Sequence, residues 1–370
     1  MTAANFSPEN FWWRNITGPS AMIADTVGAL SEGYNVILGV PDFTPWPDRM
    51  RGIIREEISG GDVYITVIDA ESECSGTAED FLLSRYDIGR KYRSRLYTAQ
   101  EYFLRNNLLC NHIFWLHNFR DKAQVSDWVN FCSRYESTSS DTGLFIIDTA
   151  NDILPAGRMR AVNFADYAGA YDTRIFTSFL LDAETYRRPE YSQAWKDYIA
   201  ALSAMLCGAD AETAERLIRS ADFTAIEPFD ALNFADGGKS GHDETEIMTR
   251  IWMAQVQIFF PMIEIARVKI LRGDSELFGR IKFALSWMES QGFPMTQSDG
   301  KTVTDPEDLD IGGLFHILCK SNLIKNVDVM LAEYVSLLRT IRNSLAHMTP
   351  CKVAEVRELL DFQRHYDGKM

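Results

Sequence analysis

The sequence predicts two architectures in one chain. A mainly parallel α/β sheet domain comes first, an all-helical bundle last, and a small helical lid-like subdomain lies between them. Three observations predict this. Short β-branched and apolar runs alternate with helical patterns over residues 1–150. A glycine-rich polar stretch without apolar anchors, DGGKSGHD, occupies residues 236–243. After it, nearly every segment has an apolar period near 3.6 residues. The expected divisions are 1–158 for the sheet domain, 159–235 for the subdomain and 243–370 for the bundle, which suits a chain of 370 residues.

The candidate strands are residues 34–40 (YNVILGV), 63–68 (VYITVI), 113–116 (IFWL) and 144–147 (LFII). Each is a continuous apolar run, the pattern of a strand covered on both faces. Helical patterns at 21–30, 48–58, 98–109 and 126–135 accompany them. In the middle of the chain, residues 191–206 and 211–220 read as helices, with Gly208 as the C-cap between them. The bundle is expected to have helices at 245–271, with Pro261 as a kink point, 275–288, 308–319 and 327–347. Thr349-Pro350 is expected to act as N-cap and first helical residue of a fifth helix, 351–365.

Composition narrows the function classes. Hydrophobic content of 46% and charged content of 24% are ordinary for a globular protein. A net charge of −15 argues against extensive non-specific DNA binding, which needs a basic face, but it leaves room for a small local basic groove. The cysteines at 74, 110, 132, 207, 319 and 351 form no Cys-x-x-Cys pair, so reduced thiols in a cytoplasm are expected. No His/Cys/Asp spacing has the pattern of a metal site, and neither metal nor cofactor is expected. The first residues lack the pattern of a signal peptide, and no apolar run approaches 18 residues, so no membrane association is expected.

The loop after the first strand, GVPDFTPWPD at 39–48, stands where a phosphate-binding loop would stand. It carries three prolines, which offer no N–H, and no Lys-Ser/Thr pair at the helix start. The LFII run ends in Asp148, as a Walker B strand does. On these residues the domain resembles a degenerate P-loop NTPase core of AAA+/STAND-like type that has lost its nucleotide site. An unrelated α/β domain that never bound nucleotide is the alternative. Gly237, Gly238, Lys239 and Ser240 spell a fragment of a phosphate loop, but Asn233 stands where its first glycine belongs, so the stretch is read as linker. Trp12, Trp13 and Trp46 are read as core or interface aromatics.

The most informative segment is Arg342-Asn343-Ser344-Leu345-Ala346-His347. Leu331, Tyr334, Leu338, Ile341 and Leu345 are spaced 3, 4, 3, 4, an apolar stripe at helical period. At about 100° per residue Asn343 falls nearly opposite the stripe, His347 shares its side, and Arg342 borders it. The polar groups are therefore expected to project away from the core. Arg-x-x-x-x-His on a helix near the end of a helical domain resembles the HEPN superfamily, as do residues 252–255 (WMAQ), 260–267 (FPMIEIAR) and 306–312 (PEDLDIG). The resemblance covers about 245–365.

It implies a metal-independent endoribonuclease or RNA-binding effector, a setting in bacterial defence or as a toxin, and a homodimer through the helical domain that brings two motifs into one cleft. Arg342, Asn343 and His347 are then the catalytic candidates, with RNA as substrate. Histidine can exchange protons near neutral pH and arginine can hold a phosphate. Glu264 is a supporting candidate that could pair with Arg342 or tune His347; the alternative is an i,i+3 pair with Arg267. The N-terminal domain is expected to sense or bind a protein partner. The competing function is a non-catalytic adaptor or dimerisation protein that binds a partner through both domains.

Overall fold

The computed structural model describes residues 6–59, 63–88, 92, 95–135, 143–188, 190–238, 242–297 and 299–367, with side chains to 362. It divides into two compact units, Met1–Phe176 with Gly208–Glu212, and Thr177–Cys207 with Thr213–Met370.

The first unit opens with helices α1 (Pro8–Asn15) and α2 (Thr17–Ser31). The order then runs β1 (Asn35–Gly39), α3 (Pro47–Ile58), β2 (Tyr64–Asp69), α4 (Ala70–Glu73), α5 (Ala78–Arg85), α6 (Ala99–Arg105), β3 (His112–His117), α7 (Lys122–Arg134), β4 (Leu144–Thr149), β5 (Met159–Asn163) and α8 (Phe164–Tyr167). Helix α9 (Ala170–Asp182) is divided between the units at Phe176.

The five strands form one parallel sheet in the order β2-β3-β4-β1-β5. All four expected strands are present. The fifth, β5, lies just past the expected boundary at 158, and its pairing with β1 ties residues 159–163 to the sheet. It was illegible because Arg160 and Asn163 interrupt the apolar run of a strand that pairs on one side only. Ile37, Ile68, Phe114, Leu116, Phe145 and Ile147 pack with Trp128 and Phe131 of α7 into the main sheet core. Trp12 and Trp13 are fully buried, and the Trp46 ring lies 5.9 Å from Phe176, so these indoles are packing groups.

The strand order fixes where an open α/β sheet of this kind offers a crevice. The connection after β1 runs toward β2 on one side, and that after β4 runs to β5 on the other, so the carboxyl ends of β1 and β4 form a switch point. Asp148 stands there, buried at the end of β4. Its carboxylate accepts from Arg51 Nε at 2.7 Å and Nη2 at 3.3 Å, and from Trp115 Nε1 at 3.2 Å. Burial alone would lower the pKa of the Arg51 guanidinium; its bonds to Asp148 and Asp48 outweigh that and raise it.

In the second unit the order is α10 (Gln193–Cys207), α11 (Ala211–Arg219, in this unit from Thr213), α12 (Ala221–Ile226), α13 (Pro228–Ala235), α14 (Glu244–Gly273), α15 (Ser275–Ser290), α16 (Ile311–Phe315), α17 (Val329–Ala346) and α18 (Val353–Asp367). A short 3-10 turn at Pro306–Asp308 precedes α16 and a π-helical turn at His316–Lys320 follows it, so the expected helix over 308–319 is three short pieces. Asp328 caps α17 by accepting from the Met330 and Leu331 N–H groups.

The expected middle subdomain is not a separate body. Helix α10 packs along α14, and α13 also meets it, so these helices belong to the same compact unit as α17. Gly208 follows α10 with φ +61°, the left-handed cap that its position suggested. The stretch between α13 and α14 is non-helical at 236–238 and 242–243; Lys239 and Ser240 lie outside the described residues. Helix α14 continues through Pro261. Among the described residues it is the one helix long and apolar enough to cross a membrane by length and composition. In this fold it is a packing helix, with Ile247, Ile251, Ala254, Phe259 and Ile263 buried.

The Arg51–Asp148 pair gives the first prediction. Asp148→Ala leaves a partly buried guanidinium with only the exposed Asp48 as partner and is expected to cost about 2–4 kcal/mol in chemical denaturation. Asp48→Ala removes only the exposed partner of Arg51 and should cost less than about 0.5 kcal/mol. Equal losses would show that burial of Asp148 does not set the value of the pair.

Candidate functional site

The apolar stripe of α17 faces inward as its spacing requires. Tyr334, Leu338, Ile341 and Leu345 are buried, joined by Val335 and Leu337, while Leu331 is half-buried. The opposite side carries the motif. Arg342 and Asn343 are half-buried and His347 is exposed.

The helix ends at His347, whose backbone N–H donates to the carbonyl of Asn343 at 3.1 Å. Met348 then turns left-handed, with φ +56°. The Met348 N–H donates to the Leu345 carbonyl at 3.1 Å, and the Thr349 N–H to the Ser344 carbonyl at 3.0 Å. These two bonds are a Schellman cap, a device that usually places glycine where Met348 stands. A methionine there stores backbone strain of about 1–2 kcal/mol. The turn also delays the last helix. Thr349 and Pro350 belong to the connection, not to a cap and first turn, and α18 begins at Val353.

Two side chains one helical turn apart on α14 hold this turn from behind. The Trp252 indole N–H donates to the Leu345 carbonyl at 2.7 Å. Gln255, 2% exposed, accepts from the Cys351 N–H at 2.7 Å and donates to the Cys351 carbonyl at 3.4 Å. The buried amide thus acts as a backbone partner on the far side of the turn.

The candidate side chains are lightly held. Arg342 Nη1 donates to Asn343 Oδ1 at 3.2 Å, and Nη2 lies 3.9 Å from Asp310 Oδ2, with the Arg342 side chain 42% exposed. Among the described residues the His347 imidazole has no hydrogen-bond or ionic partner. Glu264 is placed otherwise. Its carboxylate pairs with Arg267 at 2.9 Å, and Arg267 in turn donates to the Glu307 and Leu309 carbonyls. Glu264 therefore braces the segment that carries Asp310, with neither Arg342 nor His347 as its partner.

Sequence reasoning missed the cationic surroundings. Arg339 lies one turn before Arg342 on α17, and its guanidinium sits 4.5 Å from the centroid of the Phe315 ring. Lys320 lies 5.7 Å from the same ring. A local basic cluster therefore adjoins the motif in a chain of net charge −15. The i,i+3 spacing of Arg339 and Arg342 could have shown half of it.

Burial selects which groups can react. The Cys351 thiol is pushed up to about 12 by burial, then by the Glu355 charge, so it stays a thiol at neutral pH and is no nucleophile. Tyr198 is pushed up to about 12, chiefly by burial, and keeps its phenolic proton. Among the described residues no group of His, Cys, Asp and Glu is placed to hold a metal ion. What remains is an exposed imidazole and a guanidinium near one helix end.

No protein-family model matches the chain, and no curated protein matches it.

The left-handed Met348 is testable. Its side chain is 67% exposed, so replacement loses little packing. Met348→Gly should raise stability by about 0.5–1 kcal/mol through relief of backbone strain. A loss of stability would mean that the turn is not left-handed in solution.

Proposed function

We propose that this protein is a metal-independent endoribonuclease of HEPN type, with Arg342, Asn343 and His347 as its reacting residues. The observation that carries the reading is the state of the motif. Its imidazole is exposed and without a side-chain partner among the described residues, and its guanidinium is tied only to Asn343 and, loosely, to Asp310. Among the described residues neither group is held in a buried ion pair. The basic cluster of Lys320 and Arg339 supports a phosphate-bearing substrate.

The chemistry follows from these groups. In the metal-independent chemistry that the resemblance implies, the nucleophile is the ribose 2′-hydroxyl of the RNA itself. His347 accepts its proton as the 2′-oxygen bonds to phosphorus. Arg342 holds the non-bridging oxygens, where charge accumulates, and Asn343 orients the guanidinium. The bond from phosphorus to the 5′-oxygen breaks, and that oxygen takes a proton from the imidazolium of a second copy. The resemblance to HEPN proteins supplies the second copy, and the reading therefore includes a homodimer. The defence-related setting rests on the same resemblance, and the cytoplasmic one on the scattered cysteines.

The N-terminal sheet unit serves in this reading as a degenerate P-loop-like sensor for a protein partner. Asp148 is already committed to Arg51 and Trp115, and the loop after β1 carries three prolines, both of which weigh against a phosphate cradle.

The adaptor reading keeps one observation in its favour. Phe283 is 73% exposed and Trp287, one turn later on α15, 40% exposed, and the Trp287 ring meets the exposed Phe293 ring at 5.6 Å. Such a patch suits a protein partner.

The full-length protein incubated with single-stranded RNA separates the two. Cleavage is expected, slower by about 100-fold or more in His347→Ala and in Arg342→Ala. Arg339→Ala should mainly weaken RNA binding and reduce its salt dependence. Cleavage that survives both motif substitutions, or no cleavage of any RNA, overturns the enzyme reading and leaves the adaptor.

A further inference from the structure

Beside the candidate site, the helical unit contains a pocket that no step above uses. Its volume is about 350 Å³, at the small end of the roughly 300–1,000 Å³ typical of ligand sites, which suits one ring system better than a whole cofactor. Tyr198, Ala225, Ile251, Gln255, Cys351 and Val356 form a buried floor. Phe229 and Pro228 add flat, half-buried walls, and Glu227, Asp230, Met248 and Lys352 line the exposed rim.

The polar groups of the pocket are specific. The Gln255 amide is occupied by the Cys351 backbone and makes a long bond of 3.5 Å to the Tyr198 hydroxyl. That hydroxyl accepts, and among the described residues its own proton has no acceptor. A buried phenol with an unused donor needs a partner. The rim carries two carboxylates, which repel an anion and accept from amino groups. The ligand chemistry is thus a flat, uncharged ring with an acceptor for Tyr198 and an exocyclic amine for Glu227 or Asp230.

The position adds the connection to the motif. Pro350, Cys351 and Lys352 line the pocket, and His347 precedes Pro350 by three residues. Three residues of chain span at most about 10 Å, so the imidazole-bearing residue is one nucleotide's reach from the rim.

We infer that this pocket is a base subsite, receiving an unstacked, amine-bearing nucleobase (adenine, cytosine or guanine, over uracil) from single-stranded RNA. Unpaired bases are read in this manner, by stacking on flat side chains and by hydrogen bonds to their edges. Lys352 at the rim faces the adjoining phosphate. The inference deepens the ribonuclease reading by naming its substrate as single-stranded and base-selective, and it rests on that reading for its biological meaning.

Binding of free nucleosides tests the subsite without requiring cleavage. The full-length protein is titrated with adenosine, cytidine, guanosine and uridine, with saturation-transfer NMR as the readout and toluene as an apolar control. Saturable binding of at least one amine-bearing nucleoside is expected, with Kd in the range of about 0.1–5 mM and at least about 5-fold tighter than uridine. Val353 is half-buried and also lines the pocket, and Val353→Trp, which fills it, should abolish binding. Tyr198→Phe, which keeps the ring, should weaken it by about 3–10-fold, with the melting curve showing that each variant folds. His347→Ala should leave it unchanged.

Absence of saturable binding for all four nucleosides overturns the subsite. So does binding indifferent to Val353→Trp and Tyr198→Phe, or toluene competing as well as any nucleoside. If nucleosides bind and no RNA is cleaved, the subsite stands and the catalytic reading fails. If RNA is cleaved and nucleosides do not bind, the reverse holds.

Discussion

The candidate site depends on a pair of side chains that take no part in its chemistry. Trp252 and Gln255 stand one turn apart on α14 and grip the two sides of the turn that ends α17, one at the Leu345 carbonyl and the other at the Cys351 backbone. The Trp252 indole adds a second donor to a carbonyl that already accepts from the Met348 N–H, and the Gln255 amide meets the Cys351 N–H and carbonyl in the connection to α18. Removal of the Gln255 amide leaves the buried Cys351 N–H unmatched, at a cost of about 1–3 kcal/mol. With the grip in place, the turn can hold a left-handed methionine, and the imidazole of the residue before it, His347, is exposed at the helix end with no hydrogen-bond or ionic partner among the described residues.

The same grip relates the site to its surroundings. The segment holding Asp310 near Arg342 is itself held by Arg267, through the Glu307 and Leu309 carbonyls, and Arg267 again belongs to α14. One helix therefore positions both edges of the motif. Packed support under lightly paired groups is what a site of this kind needs if its donors are to meet charge only when substrate arrives. The sheet unit shows the opposite treatment of charge. At its switch point a buried carboxylate and a guanidinium satisfy one another.

Much of this was legible in the sequence where periodicity speaks. The four apolar strands and the α17 stripe declared themselves because burial on one or both faces leaves a regular trace. The strand β5 left none, since Arg160 and Asn163 break its run and only β1 pairs with it. The position of Arg342, Asn343 and His347 away from the core followed from a helical wheel. The role of Gln255 could not, because its partner Cys351 is 96 residues distant and a buried glutamine looks like any polar interruption. Thr349-Pro350 misled for a local reason. The pair has the chemistry of a helix start, but the preceding Schellman turn had already consumed the Thr349 N–H. The merging of the middle helices with the bundle was equally hidden, since the glycine-rich stretch at 236–243 looked like a domain boundary and is a connection within one unit.

The central claim is that an imidazole and a guanidinium, unaided by metal, use the 2′-hydroxyl of RNA. The most direct measurement is cleavage of one RNA by the full-length protein in chelator, beside the same strand carrying 2′-deoxyribose at the cleaved position. The account predicts cleavage of the RNA in chelator, with a cyclic 2′,3′-phosphate on one product and a 5′-hydroxyl on the other, and an intact deoxy-substituted strand. Cleavage of the deoxy-substituted strand, or activity that appears only when a divalent cation is added, would contradict it.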